Sequence, residues 1–217
     1  MNQKKKVSAE VIKRLPRYYR YLGDLKKNGV VRISSKALAQ SMKVTASQIR
    51  QDFNCFGMFG QQGYGYNVEA LQTVIGEILG INSGHKTIII GAGYLGHALA
   101  NYKSFEKRGF KLIGIFDIDK EVIGQKINNV DIMPMDQIEQ FVKLHKPDIA
   151  IITVPKSAAN EVVDVLIKCK IKGVLNFTYT DIAVPDGIAI ENVHPSDALM
   201  TLSYKIKTKK EGKGNEV

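Results

Sequence analysis

Three glycines carry the first chemical signal in this chain. In the stretch "TIIIGAGYLGHALA", Thr87 to Ala100, β-branched residues run into Gly91, Ala92, Gly93, Tyr94, Leu95 and Gly96. A strand that ends on G-x-G-x-x-G and passes into a helix suits a pyrophosphate. Gly91 would make the tight turn, Gly93 would let backbone approach the phosphates, and Gly96 would let the helix pack on the sheet. The helix start adds N–H groups without helical partners and the positive end of a dipole. Asp117 closes "LIGIFD", 21 residues past Gly96, where a carboxylate accepts from the ribose hydroxyls of NADH or NAD+. A 2′-phosphate there would meet like charge, softened by Lys120. The motif alone is a weak signal, and the glycines could make no more than a turn. The flanking strand, helix and acid are what favour a dinucleotide.

Thr153, Val154 and Pro155 end a later apolar run, and Asn176 ends the next. Carboxyl ends of strands border the ligand crevice of open α/β sheets, so these residues are candidate cofactor contacts. None of them is acid–base equipment. A hydride-transfer enzyme needs a proton donor, commonly backed by a carboxylate. Of the four histidines, His85, His97 and His145 lie elsewhere, and His194 has the only suitable address. Its alternative reading is a structural or interface residue. No catalytic residue is assigned, and the residues group into no metal-ligand pattern.

A second candidate site precedes the glycines. In "TASQIRQDFNCFG", Ala46, Ile49 and Phe53 fall on one helical face, leaving Ser47, Gln48, Arg50, Gln51 and Asn54 outward. Arg, Gln and Asn carry the donor and acceptor pairs that match base edges in the major groove. Lys43, Thr45 and Ser47 would reach phosphates. In "GMFGQQGYGY" the interleaved glycines and aromatics suggest a hairpin, from which Gln61, Gln62 and Tyr64 would enter the minor groove, with glycines such as Gly63 letting the backbone approach. The bland alternative is a polar surface helix followed by a loop.

The elements that must hold these groups fall into two parts. Residues 1–80 read as a helix over Ser8–Lys27 containing Pro16, a short helix capped by Ser34-Ser35, and a third opened by a Thr45–Gln48 capping box. The hairpin and another helix follow. Three short helices with a tight turn before the third match a helix-turn-helix, and the hairpin would be its wing. Residues 85–193 alternate strands (Thr87–Ile90, Lys111–Phe116, Val130–Met133, Asp148–Thr153, Gly173–Asn176, Ile188–Glu191) with helices (Tyr94–Ser104, Asp136–His145, Lys156–Lys170). The fold class is therefore α/β: an N-terminal winged-helix domain, then a Rossmann doubly wound parallel sheet. Residues 194–207, "HPSDALMTLSYKI" capped by Ser196, add a C-terminal helix whose stripe Ala198, Leu199, Leu202 and Ile206 must be buried on its own sheet or on a second copy. Residues 208–217 read as a flexible charged tail.

Charge sharpens the division. Residues 1–80 hold 13 Lys and Arg against 5 Asp and Glu, while residues 81–217 hold 18 against 16. The net charge of +10 therefore sits almost wholly in front of the glycines, which suggests a polyanion partner for that part. A basic face kept for solubility is the alternative. No apolar run is long enough to span a membrane. Two distant cysteines and a start without an apolar leader suggest a cytoplasmic protein.

The series "TASQIRQDFNCFG", "GYGY", "GAGYLGHALANY", "FDID", "TVP", "GVLNF" and "ENVHPSDALMTLSY" resembles the bacterial redox-sensing transcriptional repressor Rex family over nearly the whole chain. The resemblance implies a homodimer that binds double-stranded palindromic operator DNA and leaves it when NADH rises against NAD+. It further implies exchange of C-terminal helices between subunits beside the nicotinamides. By position it makes Gly91, Gly93, Gly96 and Asp117 nucleotide contacts, puts Arg50 on the reading helix, and links Arg20, Tyr102 and His194 to the redox switch. The chain departs from some relatives in having His194 where they have Asp, and Gln51 and Gln62 where they have basic residues. On this reading the cofactor is a signal and the chain is not an enzyme. The rivals are a small NAD-dependent oxidoreductase with an N-terminal oligomerisation domain, and a scaffold with a vestigial nucleotide site.

Overall fold

The computed structural model describes residues 7–57 and 64–213, with side chains to Thr208. It divides into two compact units, Met1–Ser83 and Gly84–Val217.

The first unit holds α1 (Ala9–Lys27), β1 (Arg32–Ile33), α2 (Ser35–Met42), α3 (Ala46–Asn54), β2 (Tyr66–Asn67) and α4 (Val68–Ile78). Each helix start has a side-chain cap: Ser8, Ser34, Thr45 and Asn67 accept from the amides of Val11, Ala37, Gln48 and Ala70. The helix α1 continues through Pro16. Lys43 takes the left-handed conformation at the end of α2, φ 54°, which makes the tight turn into α3. Arg17 of α1 donates to the Met42 carbonyl at 2.7 Å and ties that turn to the first helix. Leu15, Tyr18 and Leu22 of α1, Leu38 of α2, Ile49 and Phe53 of α3 and Ile75 of α4 form one core.

One expectation needs correction here, and one strand had been passed over. Tyr66 pairs with Ile33, which precedes α2, so the strand after α3 runs antiparallel to a segment the sequence reading passed over. Gly65 is required at that crossing: its φ is +68°, and a Cβ would come within 2.5 Å of the Ile33 carbonyl. Residues 58–63, with Gln61, Gln62 and Gly63, lie outside the described residues. The capping box is half made: Gln48 does not reach back to Thr45 but turns to Asp52.

Asp52 is the other departure from the pattern. It is an acid at a core position of α3, three residues past Ile49, and only 1% exposed. Arg14 grips both its oxygens at 2.7 and 2.8 Å, and the Tyr18 hydroxyl adds a bond of 2.7 Å. Burial alone pushes the Asp52 pKa up. Hydrogen bonds from Arg14, Tyr18 and Gln48 outweigh it and hold the carboxyl below its ordinary range.

The second unit is a seven-stranded sheet. Its strands are β3 (His85–Ile90), β4 (Phe110–Asp117), β5 (Lys126–Ile127), β6 (Val130–Pro134), β7 (Ile149–Ile152), β8 (Gly173–Asn176) and β9 (Ala189–Asn192). They lie in the order β5-β6-β4-β3-β7-β8-β9, all parallel except β5. The strand order reverses between β3 and β7, the point where doubly wound sheets bind ligands. The helices are α5 (Tyr94–Ala100), α6 (Ile138–His145), α7 (Ala159–Lys168) and α8 (Pro195–Lys213). α6 and α7 cover one core, with Ile88, Ile90, Phe116 and Ile152. Ala100 of α5 packs on the other, with Ile89, Ile115 and Ile151. α5 is shorter than the sequence pattern suggested. α8 is longer, running into the stretch read as a tail. Pro195 opens it in place of a Ser196 cap, and the His194 carbonyl takes the Asp197 amide.

Stability in the first unit should follow Asp52. Because its folded pKa is depressed, its contribution is present above the ordinary carboxyl pKa near 4 and is lost as pH falls through the folded value. Asp52→Ala leaves Arg14 and Tyr18 unpartnered and should cost about 3 kcal/mol. Hydrogen exchange at the α1 and α3 amides, compared with amides in β3 and β7, checks both the size and the location.

Candidate nucleotide site and reading helix

The nucleotide candidates gather at the switch point. Gly91 leaves β3 with φ +100°, and an added Cβ would lie 3.0 Å from the Thr153 backbone. The Thr153 hydroxyl donates to the Gly91 carbonyl at 2.7 Å, so β7 latches the turn from the side. Gly96 comes closest: a Cβ there would fall 1.8 Å from the same carbonyl. No side chain fits, and α5 reaches the sheet only because position 96 is glycine. Gly93 differs, with φ −65° and open space where its Cβ would point. Its freedom is thus no requirement of the fold.

Asp117 ties the loop to β4. Its Oδ2 accepts from the Ala92 amide at 2.5 Å, and its Oδ1 accepts from Ile118 and Asp119 at 2.7 and 2.9 Å. A carboxylate has about four acceptor positions, so one remains for a hydroxyl. These groups open on a cleft of about 600 Å³. Gly91, Ala92, Gly93, Leu95, Asp117, Thr153, Val154 and Pro155 line it. Ile118, Met135, Phe177 and Tyr179 also line it, and the sequence reading missed them because they lie outside any binding motif. Such a lining, mostly apolar with the acids Asp117, Asp119 and Glu161 and a run of loop amides, fits a dinucleotide.

Three sequence candidates do not face the cleft. Tyr94 is fully exposed, and Gly96 lies behind the turn. Asn176 is buried with its amide saturated: it donates to Thr180 and Asn192 and accepts from the Thr178 amide and hydroxyl. It holds the β8–β9 end together. Among the described residues no group of His, Cys, Asp and Glu could hold a metal ion.

The switch candidates are placed separately. Arg20 is exposed on α1, and Tyr102 is exposed beyond α5 with its ring edge-on to Phe105 at 5.0 Å. His194 Nε2 lies 3.0 Å from Asp181, so this histidine does have a carboxylate partner, just before Pro195 on the cleft wall.

On α3, Ser47, Arg50, Gln51 and Asn54 are exposed, as are Lys43 and Thr45 before it. Arg50 bonds Ser35 at 3.3 Å, which leaves most of its guanidinium donors over. Tyr64 is exposed, with the Arg32 guanidinium 5.9 Å above its ring. Gln48 stands apart from these residues, its amide nitrogen 2.7 Å from Asp52.

Comparison with known proteins bears on both sites. Residues 6–54 match the family model "Putative DNA-binding protein N-terminus", and residues 82–180 match "CoA binding domain". The redox-sensing transcriptional repressor Rex of Thermoanaerobacter pseudethanolicus is 54% identical over 206 residues, covering 95% of this chain and 92% of its own. That of Clostridium tetani is 49% identical over 211 residues, covering 97% and 100%. This chain belongs to the Rex family of redox-sensing transcriptional repressors. The crystal structure of RSP, a Rex-family repressor, matches with a TM-score of 0.89 at 50% identity over 97% of this chain and 99% of that one. RSP has also been solved with β-NAD+ and operator DNA and with β-NADH, each matching at a TM-score of 0.88. The α/β reading, with a winged helix ahead of a Rossmann sheet, agrees with these Rex structures. Rex proteins are repressors, which decides against the oxidoreductase despite the His194–Asp181 pair.

The glycine geometry separates two kinds of position. Gly96→Ala should destabilise the second unit by about 3 kcal/mol or prevent its folding, since backbone must move. Gly93→Ala should leave the melting temperature nearly unchanged. Calorimetry on the two variants tests this directly.

Proposed function

We propose that this chain is a cytoplasmic, homodimeric repressor that holds palindromic operator DNA and leaves it when NADH displaces NAD+. The observation that carries the reading is the match to RSP over 97% of the chain, with RSP bound both to NAD+ with operator DNA and to NADH. The first unit supplies Lys43, Thr45, Ser47, Arg50, Gln51, Asn54 and Tyr64 toward DNA. Its excess of basic residues provides the attraction that operates at a distance.

In the second unit, the amides of the Gly91–Leu95 turn face the pyrophosphate and Asp117 accepts from the adenosine ribose. Thr153 keeps the turn in shape. Val154 and Pro155 line the path toward the nicotinamide half. The cofactor supplies a difference and no reaction: its two forms differ by a hydride and by one positive charge on the nicotinamide. A protein with two arrangements responds only as far as its affinities for the two forms differ between them. Moving operator occupancy from nearly full to nearly empty needs about 5.5 kcal/mol of such difference. Arg20, Tyr102 and His194 are the residues we assign to sensing it.

The dimer has support in the exposure of α8. Every side chain described on it is exposed, with Leu199, Leu202 and Ile206 between 50 and 68%. A helix that leaves Leu199, Met200, Leu202, Tyr204 and Ile206 in water calls for a partner surface, and a second copy supplies one. No helix among the described residues is long and apolar enough to cross a membrane.

In a gel-shift series, NADH should release the operator while NAD+ at equal concentration does not, and NADPH should bind poorly. Gly93→Ala and Asp117→Ala should each weaken NADH at least tenfold by fluorescence titration, the first without loss of fold. Arg50→Ala should weaken the operator by about tenfold and leave NADH affinity unchanged. An operator complex indifferent to both nucleotides would refute the sensor.

A further inference from the structure

Strand order places the two halves of a bound dinucleotide. Asp117 ends β4 and the Gly91–Leu95 turn follows β3, and on the functional reading above they take the adenosine ribose and the pyrophosphate. Past β3 the sheet continues with β7 and then β8. The nicotinamide half therefore falls at the β7–β8 end of the crevice. The segment that leaves β8 there is Phe177-Thr178-Tyr179-Thr180, and Phe177 and Tyr179 line the cleft.

One buried side chain fixes that segment. Asn176 is fully buried at the end of β8. Its Oδ1 accepts from the Thr178 amide at 2.9 Å and from the Thr178 hydroxyl at 2.7 Å, and its Nδ2 donates to the Thr180 carbonyl at 2.8 Å. The residues on either side of Tyr179 are thus bound to one carboxamide. Thr178 turns inward, 1% exposed, while Tyr179 stands on the cleft wall with 78% of its surface in water. That ring has area to give to a ligand, and its backbone is already held.

The face of an aromatic ring attracts a cation, including one with no hydrogen to donate. The two cofactor forms differ at this end in that respect: the oxidised nicotinamide carries a positive charge spread over its ring, and the reduced ring is neutral. We propose that Tyr179 is a specificity-determining residue of the cofactor site, its ring meeting the nicotinamide and favouring NAD+ over NADH by cation–π attraction. Asn176 is its positioning residue. This rests on the sensor reading above and deepens it. NAD+ and NADH compete for one cleft, so whatever strengthens NAD+ raises the NADH/NAD+ ratio needed to release the operator. Tyr179 sets that threshold.

Calorimetric titration of the full-length chain with NAD+, NADH and ADP-ribose tests this, since ADP-ribose shares the adenosine and pyrophosphate but lacks the nicotinamide. Tyr179→Leu keeps an apolar side chain and removes the ring. It should weaken NAD+ about fivefold and leave NADH and ADP-ribose within about twofold of the unaltered chain. Tyr179→Phe keeps the ring and should bind all three as the unaltered chain does. In gel shifts with mixed nucleotides, the NADH/NAD+ ratio that releases half of the operator should fall about fivefold with Tyr179→Leu and stay in place with Tyr179→Phe. Equal weakening of NAD+ and NADH by Tyr179→Leu overturns the proposal, as does unchanged binding of both. A Tyr179→Phe loss equal to that of Tyr179→Leu also overturns it, by assigning the effect to the hydroxyl. Loss of ADP-ribose binding with Tyr179→Leu does so too, because Tyr179 would then shape the whole cleft. Failure of the unaltered chain to bind either nucleotide would instead overturn the functional reading itself, and this inference with it.

Discussion

The second unit depends on one backbone carbonyl, that of Gly91. Gly96 presses α5 against it so closely that a methyl group would overlap it, and the Thr153 hydroxyl donates to it from the neighbouring strand. Asp117 holds the next residue, Ala92, by its amide. Three elements of the unit thus converge on one peptide unit, the Gly91 carbonyl and the Ala92 amide. The turn is set before any ligand arrives, so little ordering cost falls on binding. The same crowding restricts which residues the motif accepts. Gly91 and Gly96 answer to the fold, while Gly93 faces open space and answers to whatever passes through the cleft.

A single carboxylate plays a comparable part in each unit, by different means. Asp117 takes its donors from backbone, stays at the surface of the cleft, and keeps acceptor capacity for a hydroxyl. Asp52 takes its donors from side chains of α1 and α3 and is buried. The first arrangement leaves a group available for a ligand. The second locks one helix to another, and with it the face that α3 turns outward. Replacing such a buried network whole by apolar residues can cost little, whereas removing Asp52 alone strands Arg14 and Tyr18.

What the sequence could disclose followed from the range of the interactions involved. The glycine turn was legible because its constraints act within a few residues and only glycine satisfies them. The caps Ser34 and Thr45 were legible for the same reason. Asp52 was hidden because its partners Arg14 and Tyr18 stand more than thirty positions away. The signal was present nonetheless, in an acid standing where the helical period demands an apolar residue, and a tyrosine and arginine four apart on α1. Asn176 misled because the end of a strand at the crevice and a buried polar lock look alike in one dimension. The strand at Arg32–Ile33 was missed because two residues carry no period.

Family membership also accounts for a nucleotide fold following a DNA-binding segment in one chain. A reagent must be consumed and replaced, which calls for an acid–base pair and a second ligand held against the nicotinamide. A signal needs neither. It needs two protein arrangements with unequal affinity for the two cofactor forms, and the coupling is then reciprocal. A repressor that NADH removes from DNA is one whose DNA-bound form binds NADH more weakly. His194 is paired with Asp181 beside the cleft. Its neighbour Pro195 both lines the cleft and opens α8, so the cleft wall and that helix share a residue.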